Sequence, residues 1–209
     1  MSVELPKEDE TPKIPDVLPV LPLRDGALFP QASLETVVAR MGTVKALEIA
    51  ARCGRQVLVL AQKDPDTPLP SARDLHSLGT IATVVVNEPR PDGYSRVELD
   101  GRERARVLNL VGLDTLVAEV ETVEEGDAGD EWGPAVEALA RYIHAHSDLR
   151  EFIDSRRRAS EPMSWVNLAC QHLPIAASAR QRLLESDARE RCLKISRGLD
   201  ALLRKEQGT

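Results

Sequence analysis

The stretch EEGDAGDEWGP, residues 124–134, separates two kinds of patterning, and any fold for this chain must accommodate both. Upstream, apolar residues come in runs of strand length. QVLVLAQK (56–63) and GTIATVVVNEP (79–89) are β-branched or leucine-rich. In DTLVAEVETV, Leu116, Ala118 and Val120 fall on one face and Val117, Glu119 and Glu121 on the other, as in a half-buried antiparallel strand. Pro91-Asp92-Gly93 signals a hairpin, and Asp100-Gly101 a second turn. One helix interrupts the strands, over residues 42–54. Thr43 is its expected N-cap, Val44, Leu47 and 49–51 its apolar face, and Gly54 its stop.

Downstream the period changes to that of helices. Val136, Leu139 and Ile143 are helically spaced, as are Val166, Ala169, Cys170 and Leu173 after a start at Ser160-Glu161-Pro162. Ala188, Cys192, Ile195, Leu199 and Leu202 form a stripe along a last helix, with Asp187 and Glu190 as a capping box. That stripe suits its own bundle or a homodimer equally. The predicted organisation is a disordered acidic tail at 1–16, a β-rich part at 17–123, a flexible linker at 124–134 and a helical bundle at 135–205.

Charge and composition narrow the function. Net charge is −7 and aromatic residues make up 3%, so nucleic acid finds neither a cationic footprint nor stacking platforms. The start is polar and acidic rather than a secretory leader, and apolar runs are too short to span a bilayer. Cys53, Cys170 and Cys192 are an odd count without a CxxC pair, which fits a reducing, cytoplasmic setting.

Motifs of catalysis are missing: the chain has no GxxxxGK[ST], GxSxG, HExxH or GxGxxG. His144 and His146 are two apart on a helix, as are Cys170 and His172, so each pair diverges by about 200° and cannot grip one metal. Arg156-Arg157-Arg158 lies among acids and reads as a solvated turn. No enzyme, metal or cofactor site is expected.

A family resemblance supplies what the motifs do not. LPVLPLRDGALFP (18–30), ALEIA, VLVLAQK, DLHSLGTIATV, PDGYSRVELDGRERARV and the segment SEPMSWVNLACQHLPIAASARQRLLESDARERCLKI occur in that order. Together they resemble the N-terminal, substrate-binding domain of Lon-type ATP-dependent proteases, from about residue 16 to 203. The resemblance implies an α+β fold: a PUA-like β pseudo-barrel followed by a C-terminal α-helical bundle. It also implies a non-enzymatic module that binds unfolded or tagged polypeptides, with a protease or ATPase as partner. Leu28, Phe29, Leu34 and Val37 are the expected peptide contacts, since an exposed sheet edge accepts an extended segment by strand addition. Where family members continue with an apolar stretch, this chain reads QASLETVVARM, with Ser33, Glu35 and Thr36 intruding. The ATPase and protease segments have no counterpart. The ending LLRKEQGT reads as a natural terminus, so a stand-alone protein is expected, with a segment of a longer protease or a regulator of a separate protease as the alternatives. Pro19 and Pro22 cannot donate to a ladder, which predicts an edge or rim position for the first strand.

Overall fold

Strands precede helices, as the two patterns require, in a computed structural model that describes residues 17–146 and 162–207. The strands are β1 (Val17–Leu23), β2 (Ser33–Val38), β3 (Gln56–Ala61), β4 (Leu78–Pro89), β5 (Ser95–Val111) and β6 (Val117–Val123). The helix α1 (Met41–Arg52) lies between β2 and β3. The bundle comprises α2 (Trp132–Ala145), α3 (Pro162–His172), α4 (Ala177–Glu185) and α5 (Ala188–Gln207). The expected tail at 1–16, Arg156–Arg158 and the Ser160-Glu161 start signal fall outside the described residues.

The sheet order is β2-β5-β4-β3-β1-β6, and an added β5–β6 pairing closes β5, β4, β3, β1 and β6 into a pseudo-barrel. The length of β5, 17 residues, makes this possible. Its first half carries β2 and its second half carries β6, so the two share one flank of the same strand. Every residue of β3 is buried, which explains its unbroken apolar run. Val57 and Val59 join a cluster with Leu47 and Ala50 of α1, while Leu58 and Leu60 pack with Leu18, Val20 and Ile81 on the other side.

The first strand overturns the edge expectation. β1 is flanked on both sides, parallel to β3 over Val20–Leu23 and antiparallel to β6 over Val17–Pro19. Its prolines are tolerated by timing along the strand. Val20 N–H donates to Leu116 O on the β6 flank (2.9 Å), and Leu23 O accepts from Gln62 N–H on the β3 flank (2.8 Å). Alternation then turns Pro19 toward β3 one residue before that ladder begins, and Pro22 toward the β6 flank after that ladder has ended.

Asp100-Gly101 is no turn either. β5 runs straight through it, with Arg102 as the extra residue of a bulge between the pairs Ala82–Gly101 and Ile81–Glu103. Glycine is required by contact: a Cβ at Gly101 would sit 2.2 Å from Phe29 O. Gly101 O accepts from Gln31 N–H, and its N–H donates to Ala32 O, each at 2.9 Å, which pins the loop ahead of β2. The Pro91-Asp92-Gly93 turn forms as read, with Arg90 N–H donating to Tyr94 O (2.7 Å) and Gly93 at φ 84°. In α1, Thr43 is buried inside the first turn rather than capping it, because the helix starts earlier, at Met41. Ile49 is exposed and Ala46 and Ala50 face the core instead.

The segment 124–134 is clamped, not slack. Ala128 is buried, α2 already begins at Trp132, and Ala188 N–H donates to Glu125 O (2.8 Å). Two buried arginines complete this junction. Arg104 of β5 donates to the carbonyls of Glu124, Leu184 and Ser186. Arg191 of α5, fully buried, donates to Leu183 O, Ser186 O, Asn167 and the Glu125 carboxylate, with its guanidinium 5.4 Å from the centre of the Phe29 ring. At α5, Asp187 Oδ1 accepts from Glu190 N–H (2.8 Å), whereas the Glu190 carboxylate pairs with Lys194 (3.0 Å). The stripe Ala188, Cys192, Ile195, Leu199 is buried within its own bundle.

Candidate functional site

The four residues expected at a site divide into two pairs. Leu28 and Phe29 are buried and point opposite ways: Leu28 joins the core under α1, and Phe29 the core of the bundle. They tie the barrel to the helices and offer no surface. Leu34 and Val37 both lie on β2. Leu34 faces inward and packs on the barrel core, while Val37 is 54% exposed on the outer face.

Among the described residues their strand has one flank that no other strand covers. β2 pairs with β5 and with no other strand among the described residues. Ala32 O accepts from Gly101 on the β5 side, and Ser33 O accepts from the Gln171 side chain (2.8 Å) on the other side. Alternation therefore turns the Val37 N–H and C=O away from β5. Across this flank stands the second half of β1, and a groove of about 510 Å³ separates them, lined by Leu21, Pro22, Leu23, Leu34 and Val37 among others. Pro22 presents its backbone toward that groove without an N–H, so β1 cannot zip onto β2 and close the seam. On the outer face, Glu35 accepts from Arg96 (2.8 Å), which also reaches Glu88 (3.1 Å), so the charged intrusion into β2 is paired across the sheet.

A second groove, of about 400 Å³, continues from the first through Pro22, Arg40 and Thr43. Its rim carries three apolar side chains from three separate segments: Met41 (71% exposed), Leu69 (82%) and Leu113, fully exposed. The loop bearing Leu113 reaches α1 only because residue 42 is glycine; a Cβ there would lie 1.9 Å from Asp114 O. Between the grooves Arg40 donates to Gln62 Oε1 (2.7 Å), and burial, reinforced by nearby Arg24, lowers its pKa. Sequence reasoning missed this rim. The available signal was Leu69 set between Pro68 and Pro70, where no regular element can bury it.

Among the described residues, no three His, Cys, Asp or Glu side chains gather in metal-binding range. His146 ends α2, its Nδ1 2.8 Å from Tyr142 O and its ring stacked on Tyr142. The three cysteines are free thiols, with Cys53 exposed and Cys170 and Cys192 buried. No described helix is long and apolar enough to cross a membrane. The two joined grooves, lined by apolar side chains together with charged ones such as Arg24, Glu35, Arg40 and Lys45, run beside the flank of β2 that no described strand covers.

Comparison with known proteins shows what the chain is similar to. Residues 17–201 match the family model of the ATP-dependent protease La (LON) substrate-binding domain. A Lon protease of Xanthomonas oryzae pv. oryzae is 34% identical over 192 residues, covering 87% of this chain and 22% of the relative. Lon protease 1 of Thermus thermophilus is 33% identical over 199 residues, covering 90% of this chain and 24% of the relative. The chain therefore spans under a quarter of the length of these relatives. In fold, it resembles the N-terminal domain of a Mycobacterium avium complex Lon protease (TM-score 0.70, 20% identity, 88% of this chain and 98% of that one). It also resembles a Lon N-terminal domain protein from Xanthomonas campestris (TM-score 0.60, 21% identity, 85% and 95%).

Proposed function

The chain belongs to the LON substrate-binding domain family, and from that premise we propose that it captures unfolded or tagged polypeptides in extended form for an ATP-dependent protease. The observation that carries this reading is the flank of β2 that no described strand covers, beside the groove lined by Leu21, Pro22, Leu23 and Leu34. A captured segment adds to β2 by main-chain hydrogen bonds, and its apolar side chains enter the grooves on either side of Pro22. Within this reading Leu34 and Val37 form the contact strand and Met41, Leu69 and Leu113 the apolar rim, while Leu28 and Phe29 serve as scaffold.

The module itself performs no catalytic step in this proposal. Hydrolysis of ATP and of peptide bonds belongs to segments joined to it or to a separate partner, in the bacterial cytoplasm where free thiols persist.

Titration against a reduced, permanently unfolded model protein and its folded counterpart tests the reading. Preference for the unfolded form is expected. Val37→Pro removes an outward N–H at an edge position where proline is tolerated, so it should weaken binding about tenfold while costing at most about 1 kcal/mol of stability. Equal binding by this variant removes β2 from the site; no binding by the intact chain defeats the function.

A further inference from the structure

The side chain of Gln171, on α3, reaches out of the bundle to the start of β2. Its Oε1 accepts from Phe29 N–H (3.0 Å) and its Nε2 donates to Ser33 O (2.8 Å). The amide has only one workable orientation, because a backbone N–H can only donate and a carbonyl can only accept. Gln171 is 94% buried, so the contact is built rather than incidental.

Ser33 O lies on the open flank, the same flank toward which alternation turns the backbone of Val37. An added strand would treat Ser33 O as its next acceptor beyond position 35. That acceptor is already taken.

We infer that Gln171 is a register stop, a positioning residue of the bundle that ends the usable edge of β2 before Ser33 and fixes where a captured segment sits. The inference rests on the strand-addition reading above. Its physical basis is the two-residue repeat of a strand: a flat edge lets a segment slip by two residues without turning any side chain to the wrong face. Occupying one end of the edge removes the slipped alignment. The bundle thereby selects alignment without touching the captured chain's side chains, so the segment recognised needs alternating apolar residues and no particular residue at one position.

The test reads register directly. In a Cys53→Ser background, Val37→Cys provides one reactive thiol on the outer face of β2, within cross-strand reach of the residue opposite it on an added strand. The probes are ten-residue peptides of alternating leucine and threonine, each with one cysteine at a successive position. With Gln171 intact, disulfide yield should peak at a single peptide position. Gln171→Glu keeps the acceptor for Phe29 N–H but cannot donate to Ser33 O, and yield should divide between two positions two residues apart. Gln171→Asn, one methylene short, is the second variant should the first fail to fold, with the same expected division. A single peak that persists in the folded variants, or a divided yield with Gln171 intact, overturns the register stop while leaving capture on β2 standing. Absence of both crosslinking and binding to the unfolded model protein overturns the capture reading itself, and the register stop with it.

Discussion

The junction between barrel and bundle and the seam between β1 and β2 handle backbone polar groups in opposite ways. At the junction, carbonyls left over at the end of α4 (Leu183, Leu184 and Ser186) are gathered by the guanidinium groups of Arg104 and Arg191. Burial lowers the Arg104 pKa, yet the guanidinium stays charged because its ordinary value is so high. At the seam, by contrast, a strand flank faces a groove and the strand opposite offers a proline. Charge placed inside makes one contact permanent, and a donor withheld keeps the other available. The difference shows where this fold commits its hydrogen bonds and where, in the function proposed above, it keeps them for a captured chain.

Breaking the junction should produce the largest effect. Arg191→Ala strands the Glu125 carboxylate and several carbonyls, and a loss of about 3–5 kcal/mol is expected by urea denaturation. A cost below 1 kcal/mol would mean that water replaces the arginine easily and the junction is no anchor. Gly101→Ala comes next, since its methyl meets Phe29 O; about 1–3 kcal/mol should be lost. Because Gly101 also pins the loop ahead of β2, that variant should weaken capture of unfolded protein more than its stability loss explains.

Thiol reactivity sharpens the comparison without mutation. Burial pushes the Cys170 thiol up to about 12 and Cys192 to about 11, while Cys53 is exposed. A thiol reagent at pH 8 should therefore modify one cysteine in the native protein and three in urea. The linkage has a definite sign. The folded state holds thiol protons that the unfolded chain gives up near 9.0, so this contribution is whole below that pH and shrinks as pH climbs toward 12. A denaturation midpoint that rose over this range would contradict it. Smallest of all should be the stability effect of Val37→Asp at the seam, within about 0.5 kcal/mol because the side chain is exposed. Its binding defect should be far larger than that, by the same titration used for Val37→Pro.

Much of the fold could be read from the chain, since periods of two and of 3.6 residues are local properties. The hairpin at Gly93, the strands β3, β4 and β6 and the stripe of α5 followed from them. What could not be read depends on neighbours distant in sequence. Two prolines suggested an edge, but β1 is flanked by β3 and β6, and only the staggered ends of those two ladders make the prolines acceptable. Asp100-Gly101 has the chemistry of a turn, yet its glycine answers the approach of Phe29, some seventy residues earlier in the chain. The proposed site was half legible: Leu34 and Val37 lie on β2, the strand proposed for contact, while Phe29, equally apolar, is drawn into the bundle by Gln171 and Arg191. Hydrophobicity alone does not say which side of a loop a side chain will take.

The placement of β1 also sets a calendar for synthesis. Its residues Val20–Leu23 find β3 soon after leaving the ribosome, once α1 and the turn have followed them out. Val17–Pro19 must wait for Val117–Glu119, roughly one hundred residues later. At ordinary translation speeds that is about 5–20 s during which the earliest strand stands with one side bare. A protein proposed to receive bare strands from others thus begins life with one of its own.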